Sequence, residues 1–176
     1  PGDSFPNSSF HGTHVAGTIA AATNNGQGGA GVAGGTRIMP LRVLGAWGGS
    51  SYDIMQAVRY AAGLPNAAGV LPARRAAIIN LSLGGPGWSY EEAAVYAAAR
   101  AQGVIVVAAA GNENTSIPHF PSSYTGVLSV SAVGPDKARA TYSNFGPDID
   151  VAAPGGASTD VDFDGRDDTD TDNVWS

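Results

Sequence analysis

Residues 90–112 read YEEAAVYAAARAQGVIVVAAAGN. The first part, Tyr90–Gln102, is built from good helix formers and runs into Gly103, which stops a helix by taking the left-handed conformation that other residues avoid. Val104–Ala110 follows as an unbroken apolar run, too short for a helix and suited to a strand buried on both faces. A helix delivered by one glycine straight into such a strand is half of a βαβ unit.

The same alternation extends in both directions. Strands are expected near Arg37–Val43, Ala77–Ser82, Val104–Ala109, Val127–Ala132 and Ile149–Val151, and helices over His11–Ala22, Tyr52–Ala62 and Tyr90–Gln102. Strands alternating with Ala-rich helices predict an α/β fold, a three-layer α/β/α arrangement with a mainly parallel central sheet. Ligand sites in such sheets gather at the carboxyl ends of strands, where loops meet. The Gly/Pro-rich stretch Gly63–Arg75 reads as an exposed excursion within one domain.

Composition narrows the function. The 176 residues are 43% hydrophobic, enough for a packed core, and 14% charged, with 25 Gly and 11 Pro that imply many tight turns. A net charge of −6 with nine scattered Lys and Arg argues against a nucleic-acid partner, which needs clustered cations. The longest apolar run, Val104–Ala110, is far too short to cross a bilayer, so no membrane partner is expected. With no cysteine, neither disulfides nor thiolate metal sites are available. Of the fifteen carboxylates, seven fall between Asp160 and Asp172, which leaves the rest of the chain near neutral and sets the tail apart.

Three segments carry side chains suited to chemistry. His11-Gly12-Thr13-His14-Val15-Ala16-Gly17-Thr18 places a histidine at the start of a helix whose small residues allow close packing. It reads either as a catalytic imidazole or as a metal or structural histidine pair, although a zinc hydrolase would need a third ligand and a glutamate inside the motif, and neither occurs. Asn112 follows Gly111 at the end of the Val104–Ala110 run, where an amide can offer its NH2 to developing negative charge, or can be an ordinary turn residue. Asn80-Leu81-Ser82-Leu83-Gly84-Gly85 is a strand end that can hydrogen-bond an extended peptide, or a plain strand exit.

Together and in this order, the three segments resemble the subtilisin-like serine peptidases, the subtilase family. The resemblance runs from about Ser9 to Pro154 and includes LRVLGAWGGSSY, INLSLGG, the SVSAV strand, Tyr142-Ser143-Asn144-Phe145-Gly146 and VAAPGG. It is nearest in style to secreted bacterial members. It implies that His11 is the general base of a Ser-His-Asp triad, with His14 a structural companion, and that Asn112 is the side-chain donor of the oxyanion hole. It further implies that Ser82, Leu83 and Gly84, with Gly48, Gly49 and Ser50, form two backbone strands flanking a polypeptide substrate. Tyr52 then walls a subsite, and His119 sits near the floor of the primary specificity pocket, where a small residue is common, making that floor more polar or shallower, unless it is simply an exposed loop histidine.

The family's aspartate motif and its Gly-Thr-Ser motif do not occur in these residues. Asp3 is too close to His11, and Ser158 lies in the wrong context. The opening Pro1-Gly2-Asp3 reads as a cut inside a precursor, and Val174-Trp175-Ser176 resembles the strand that leads to the nucleophile. The expectation is one partial peptidase domain over residues 1–176 with an acidic insert at about 157–173. It would need the remaining segments of that domain for activity and be inactive alone. The alternative is a non-catalytic calcium- or peptide-binding module.

Calcium is the expected cofactor, in a structural role, and no organic cofactor is expected. Asp160, Asp162 and Asp164 alternate before Gly165, an arrangement that can wrap oxygens around Ca²⁺, with Asp168, Asp170 or Asp172 in place of the glutamate that usually closes such a loop; a solvated acidic loop is the other reading. The loop Thr23–Gly29, with Asn25 as ligand, resembles the family's high-affinity calcium loop.

Overall fold

The computed structural model describes residues 10–45 and 47–156. Two compact units divide at Ala76/Ala77.

In the first unit, helix α1 spans His11–Ala20. Its amino end is preceded by Phe10 in the left-handed region (φ 52°), with no side-chain cap among the described residues. Its carboxyl end is satisfied by the chain that returns along it: the N–H groups of Gly31, Val32 and Ala33 donate to the carbonyls of Ala21, Thr18 and Ile19 at 2.8–3.1 Å. These are carbonyls a helix end leaves without intrahelical partners. Gly31 lies so close to α1 that a Cβ would fall 2.6 Å from the Ala20 backbone, so no larger residue fits there.

Helix α2 spans Ser51–Ala61 and is locally specified at both ends. The Ser50 hydroxyl accepts from Asp53 N–H at 3.1 Å and donates to the Asp53 carboxylate at 2.8 Å, a reciprocal cap. At the other end Gly63 (φ 70°) turns the chain, and the Leu64 N–H returns to the Arg59 carbonyl at 2.8 Å. Val58 and Ala61 form its buried side. The expected strand at Arg37–Val43 is not formed: these residues have no ladder partner among the described residues. An apolar β-branched pattern sets a preference for extended backbone, but a strand also needs a neighbour to pair with.

The second unit holds four parallel strands in sequence order: β1 (Ile78–Leu81), β2 (Ile105–Ala109), β3 (Leu128–Val133) and β4 (Val151–Pro154). Strand β4 begins where the sequence reading ended it, because Ile149 and Asp150 belong to the preceding turn; Asp150 accepts the Ser129 N–H on its carboxylate at 2.8 Å. Helix α3 (Tyr90–Ala101) connects β1 to β2 and packs against β2, with Val95, Tyr96 and Ala99 buried. Ser89 caps it, and Gly103 (φ 79°) ends it as expected.

The core of this unit sits between α3 and one face of the sheet, where Ile79, Leu81, Val106 and Ala108 are buried. The other face is more open than a sheet covered on both sides: Ile78 and Ile105 are 60% and 56% exposed. Apolar content on both strand faces shows that a sequence tolerates double burial, and it does not supply the second layer.

Candidate active site

The chemistry-bearing residues of the second unit collect at the carboxyl ends of β1 and β2, where the parallel sheet directs them. Strand β1 exits through Ser82-Leu83-Gly84-Gly85. The Ser82 hydroxyl accepts from Asn80 Nδ2 at 2.9 Å. Gly85 forms a two-bond antiparallel bridge with Phe120, both N···O distances being 2.9 Å. That bridge brings His119 onto Gly84, so closely that a Cβ on Gly84 would strike the imidazole and lie 2.7 Å from the Phe120 carbonyl.

Phe120 is anchored from below. Its ring packs on Tyr124 (4.6 Å between centroids), which packs on Tyr96 of α3 (5.4 Å). The Tyr124 hydroxyl donates to Glu92 at 2.9 Å and accepts the Ser89 N–H at 2.8 Å. Burial and the neighbouring Glu92 carboxylate, against the opposing effect of the Ser89 hydrogen bond, push the Tyr124 phenol up to about 12. Burial likewise raises Tyr142, whose hydroxyl donates to the Gly155 carbonyl at 2.8 Å.

Strand β2 exits through Ala110, Gly111 and Asn112. Gly111 sits at φ 107°, and a Cβ there would collide with Asn144 and lie 2.6 Å from Glu113 Oε2. Asn112 is exposed, and its N–H donates to Glu113 Oε2 at 3.0 Å. The same oxygen accepts from Asn144 Nδ2 at 2.8 Å and lies 3.8 Å from His119 Nε2. Among the described residues, His119 Nδ1 is buried without a hydrogen-bond partner.

Thus Gly84, His119 and the Gly111–Asn112 turn form one cluster. Glu113 and Asn144, to which that reading gives no role, connect it. Glu113 adjoins Asn112, and Asn144 belongs to the YSNFG segment; the signal in both cases is a polar residue beside a glycine-bearing turn.

In the first unit, His11 and His14 lie exposed on the first turn of α1. Gly48 closes a tight turn on Gly45, with reciprocal N–H···O bonds of 2.8 and 3.2 Å, and Gly49 abuts the Val43 carbonyl. Ser50 is the α2 cap, and Tyr52, 56% exposed, stands on the first turn. Asn25 Oδ1 accepts the Gln27 N–H at 3.0 Å, which holds that loop in a local turn. Among the described residues no three His, Asp or Glu side chains gather to hold a metal ion. The carboxylates Asp160, Asp162 and Asp164 lie outside the described residues.

The chain is similar to an extracellular protease of Xanthomonas campestris pv. campestris, at 45% identity over 84% of this chain and 26% of that protein. It is also similar to subtilisin E of Bacillus subtilis (strain 168), at 37% identity over 86% of this chain and 38% of that one. Among solved structures, a protease from Pseudoalteromonas arctica PAMC 21717 superposes with a TM-score of 0.84 at 47% identity, covering 87% of this chain and 46% of the other. The chain therefore spans from about a quarter to just under half of these relatives. The sequence profile of the Subtilase family matches residues 1–174. With a parallel α/β sheet, an asparagine turn at the end of β2 and a profile match along nearly its whole length, the chain belongs to the Subtilase family.

Proposed function

We propose that this chain is part of a secreted serine endopeptidase that cleaves peptide bonds by Ser-His-Asp acyl transfer. The observation that carries the reading is the Gly111–Asn112 turn: an exposed amide side chain on a rigidly held backbone at the carboxyl end of a parallel strand. In this mechanism His11 takes the serine proton and returns it to the leaving amine, and Asn112 Nδ2 donates to the oxyanion. Ser82–Gly84 and Gly48–Ser50 hydrogen-bond the substrate backbone, and Tyr52 lines a subsite. His119, lying against Gly84, makes the floor of the primary pocket polar and shallow. The names of extracellular relatives support secretion.

Replacing Asn112 with Ala in the active peptidase should lower kcat by about 100- to 1,000-fold with little change in KM, the size of effect found for this donor in subtilisin itself. An unchanged kcat would remove the oxyanion role. These 176 residues contain no Gly-Thr-Ser sequence, so the chain by itself is read as unable to form an acyl-enzyme. A fluorophosphonate probe should leave it unlabelled, and stoichiometric labelling would show that a serine within it is nucleophilic.

Calcium is proposed at the carboxylates of the segment Asp160–Gly165, with Asn25 as a second candidate, in a structural role rather than as a participant in the reaction. Calorimetric titration should show binding that is lost in an Asp160→Asn/Asp162→Asn variant; no heat at millimolar calcium would dismiss the site.

A further inference from the structure

We propose that Asn144 and Glu113 are positioning residues for Asn112, forming a clamp, buried at Asn144 and exposed at Glu113, that fixes the peptide plane from which the oxyanion donor projects; this rests on the oxyanion reading of Asn112. Asn144 is 3% exposed and comes from a different loop, about thirty residues further along the chain. Its side chain uses its full hydrogen-bonding capacity on one turn. Nδ2 donates to the Ala110 carbonyl at 2.9 Å and to Glu113 Oε2 at 2.8 Å, while Oδ1 accepts the N–H groups of Glu113 at 2.9 Å and Thr115 at 3.2 Å. Its own N–H donates to the Gly111 carbonyl at 3.0 Å.

Asn144 therefore bonds both ends of the segment that contains Asn112, and through Glu113 Oε2 it reaches the Asn112 N–H itself. With the Gly111 carbonyl and the Asn112 N–H both bonded, the peptide between them cannot rotate without breaking two hydrogen bonds. That peptide plane sets where the Asn112 Cα–Cβ bond points. Oxyanion stabilisation is effective to the extent that its donors need no reorganisation as charge develops, so a rotating plane would weaken the transition state more than the ground state.

The geometry also predicts how the clamp fails. Asn144→Asp keeps the acceptor for Glu113 and Thr115 but loses both donors and sets a carboxylate against the Ala110 carbonyl and the Glu113 carboxylate. Glu113→Gln keeps an acceptor for the Asn112 N–H. In the double variant the new amide at position 113, turned so that its nitrogen takes the place of Oε2, can donate to the new carboxylate at position 144, which restores the link between the two loops and removes the charge repulsion but leaves the Asn112 N–H without that acceptor.

Two readouts are taken together. In the peptidase expressed from its gene, Asn144→Asp should lower kcat at least about tenfold with KM within about twofold, and the Glu113→Gln/Asn144→Asp variant should recover part of the loss. By NMR, the Asn112 backbone amide should lose hydrogen-exchange protection in Asn144→Asp. Should Asn144→Asp fail to fold, Glu113→Ala, at a side chain that is 58% exposed, gives the same readouts without disturbing the core.

A variant in which stability falls while Asn112 protection and kcat hold would overturn the clamp and leave Asn144 a structural residue. Loss of Asn112 protection with unchanged kcat would overturn the catalytic consequence. If Asn112→Ala itself leaves kcat unchanged, the oxyanion reading fails separately, and the exchange data still decide whether Asn144 holds the turn.

Discussion

The strand exits of the second unit and the glycine-rich turns of the first are built by different means. The Gly45–Gly48 turn is closed by its own two hydrogen bonds, α2 is capped by Ser50 and Asp53 three residues apart, and Asn25 holds Gln27 two residues away. Residues 110–115 are held by Asn144, and the Ser89 end of α3 by Tyr124, at separations of 29 to 35 residues. Local chemistry favours a turn wherever its segment lies. Distant partners hold a turn in one conformation only once the surrounding fold exists, which is what a site requiring fixed donors needs.

The sharpest way to break this contrast is to put the same side chain on two glycines of similar backbone. Gly48 (φ 91°) and Gly111 (φ 107°) both lie where L-residues are strained, but a Cβ at Gly48 meets nothing within 4 Å, whereas at Gly111 it collides with Asn144 and crowds Glu113 and His119. Gly48→Ala should cost about 1–2 kcal/mol, the strain of the backbone alone. Gly111→Ala should cost about 3–5 kcal/mol, because the clamp must also move. Urea unfolding of both variants measures the difference. Equal costs would mean that the turn after β2 is no more tightly determined than the turn before α2.

The contrast also explains what could be read from the sequence. Helix α3, its Gly103 stop and strand β2 were foreseeable because propensity, cap and apolar run all lie within residues 90–112. The ends of α2 were foreseeable for the same reason. Residues Arg37–Val43 carried a strand pattern but no information about a partner, and the apolar content of Ile78 and Ile105 implied a covered face that the described residues do not complete. At the candidate site, Asn112 and His119 were named from a resemblance to a family, and the packing of His119 on Gly84 follows from the Gly85–Phe120 bridge. No spacing rule links Asn144 to Ala110: side-chain hydrogen bonds across thirty residues have no period, and they become visible when strands β2 and β3 set the loops side by side.

A smaller effect tests the second long-range tie, the Tyr124 hydroxyl. In the unfolded chain a tyrosine ionises near pH 10, whereas in the folded protein Tyr124 is held to about 12. Between these values the folded state keeps a proton that the unfolded state has lost, so stability is full below about pH 10 and declines as the pH rises toward 12. Tyr124→Phe should remove part of that alkaline loss, with Tyr96 and Tyr142, both also raised, accounting for the remainder. At neutral pH it should cost about 1–3 kcal/mol, because the Ser89 N–H and the Glu92 carboxylate each lose a partner in a largely buried site. Urea midpoints at pH 8 and pH 11 read both quantities. The contrast holds if the variant is less stable at pH 8 yet loses less between the two pH values than the parent; identical pH slopes would mean that the phenol is not tied to α3 and that Phe120, with its bridge to Gly85, is positioned by packing alone.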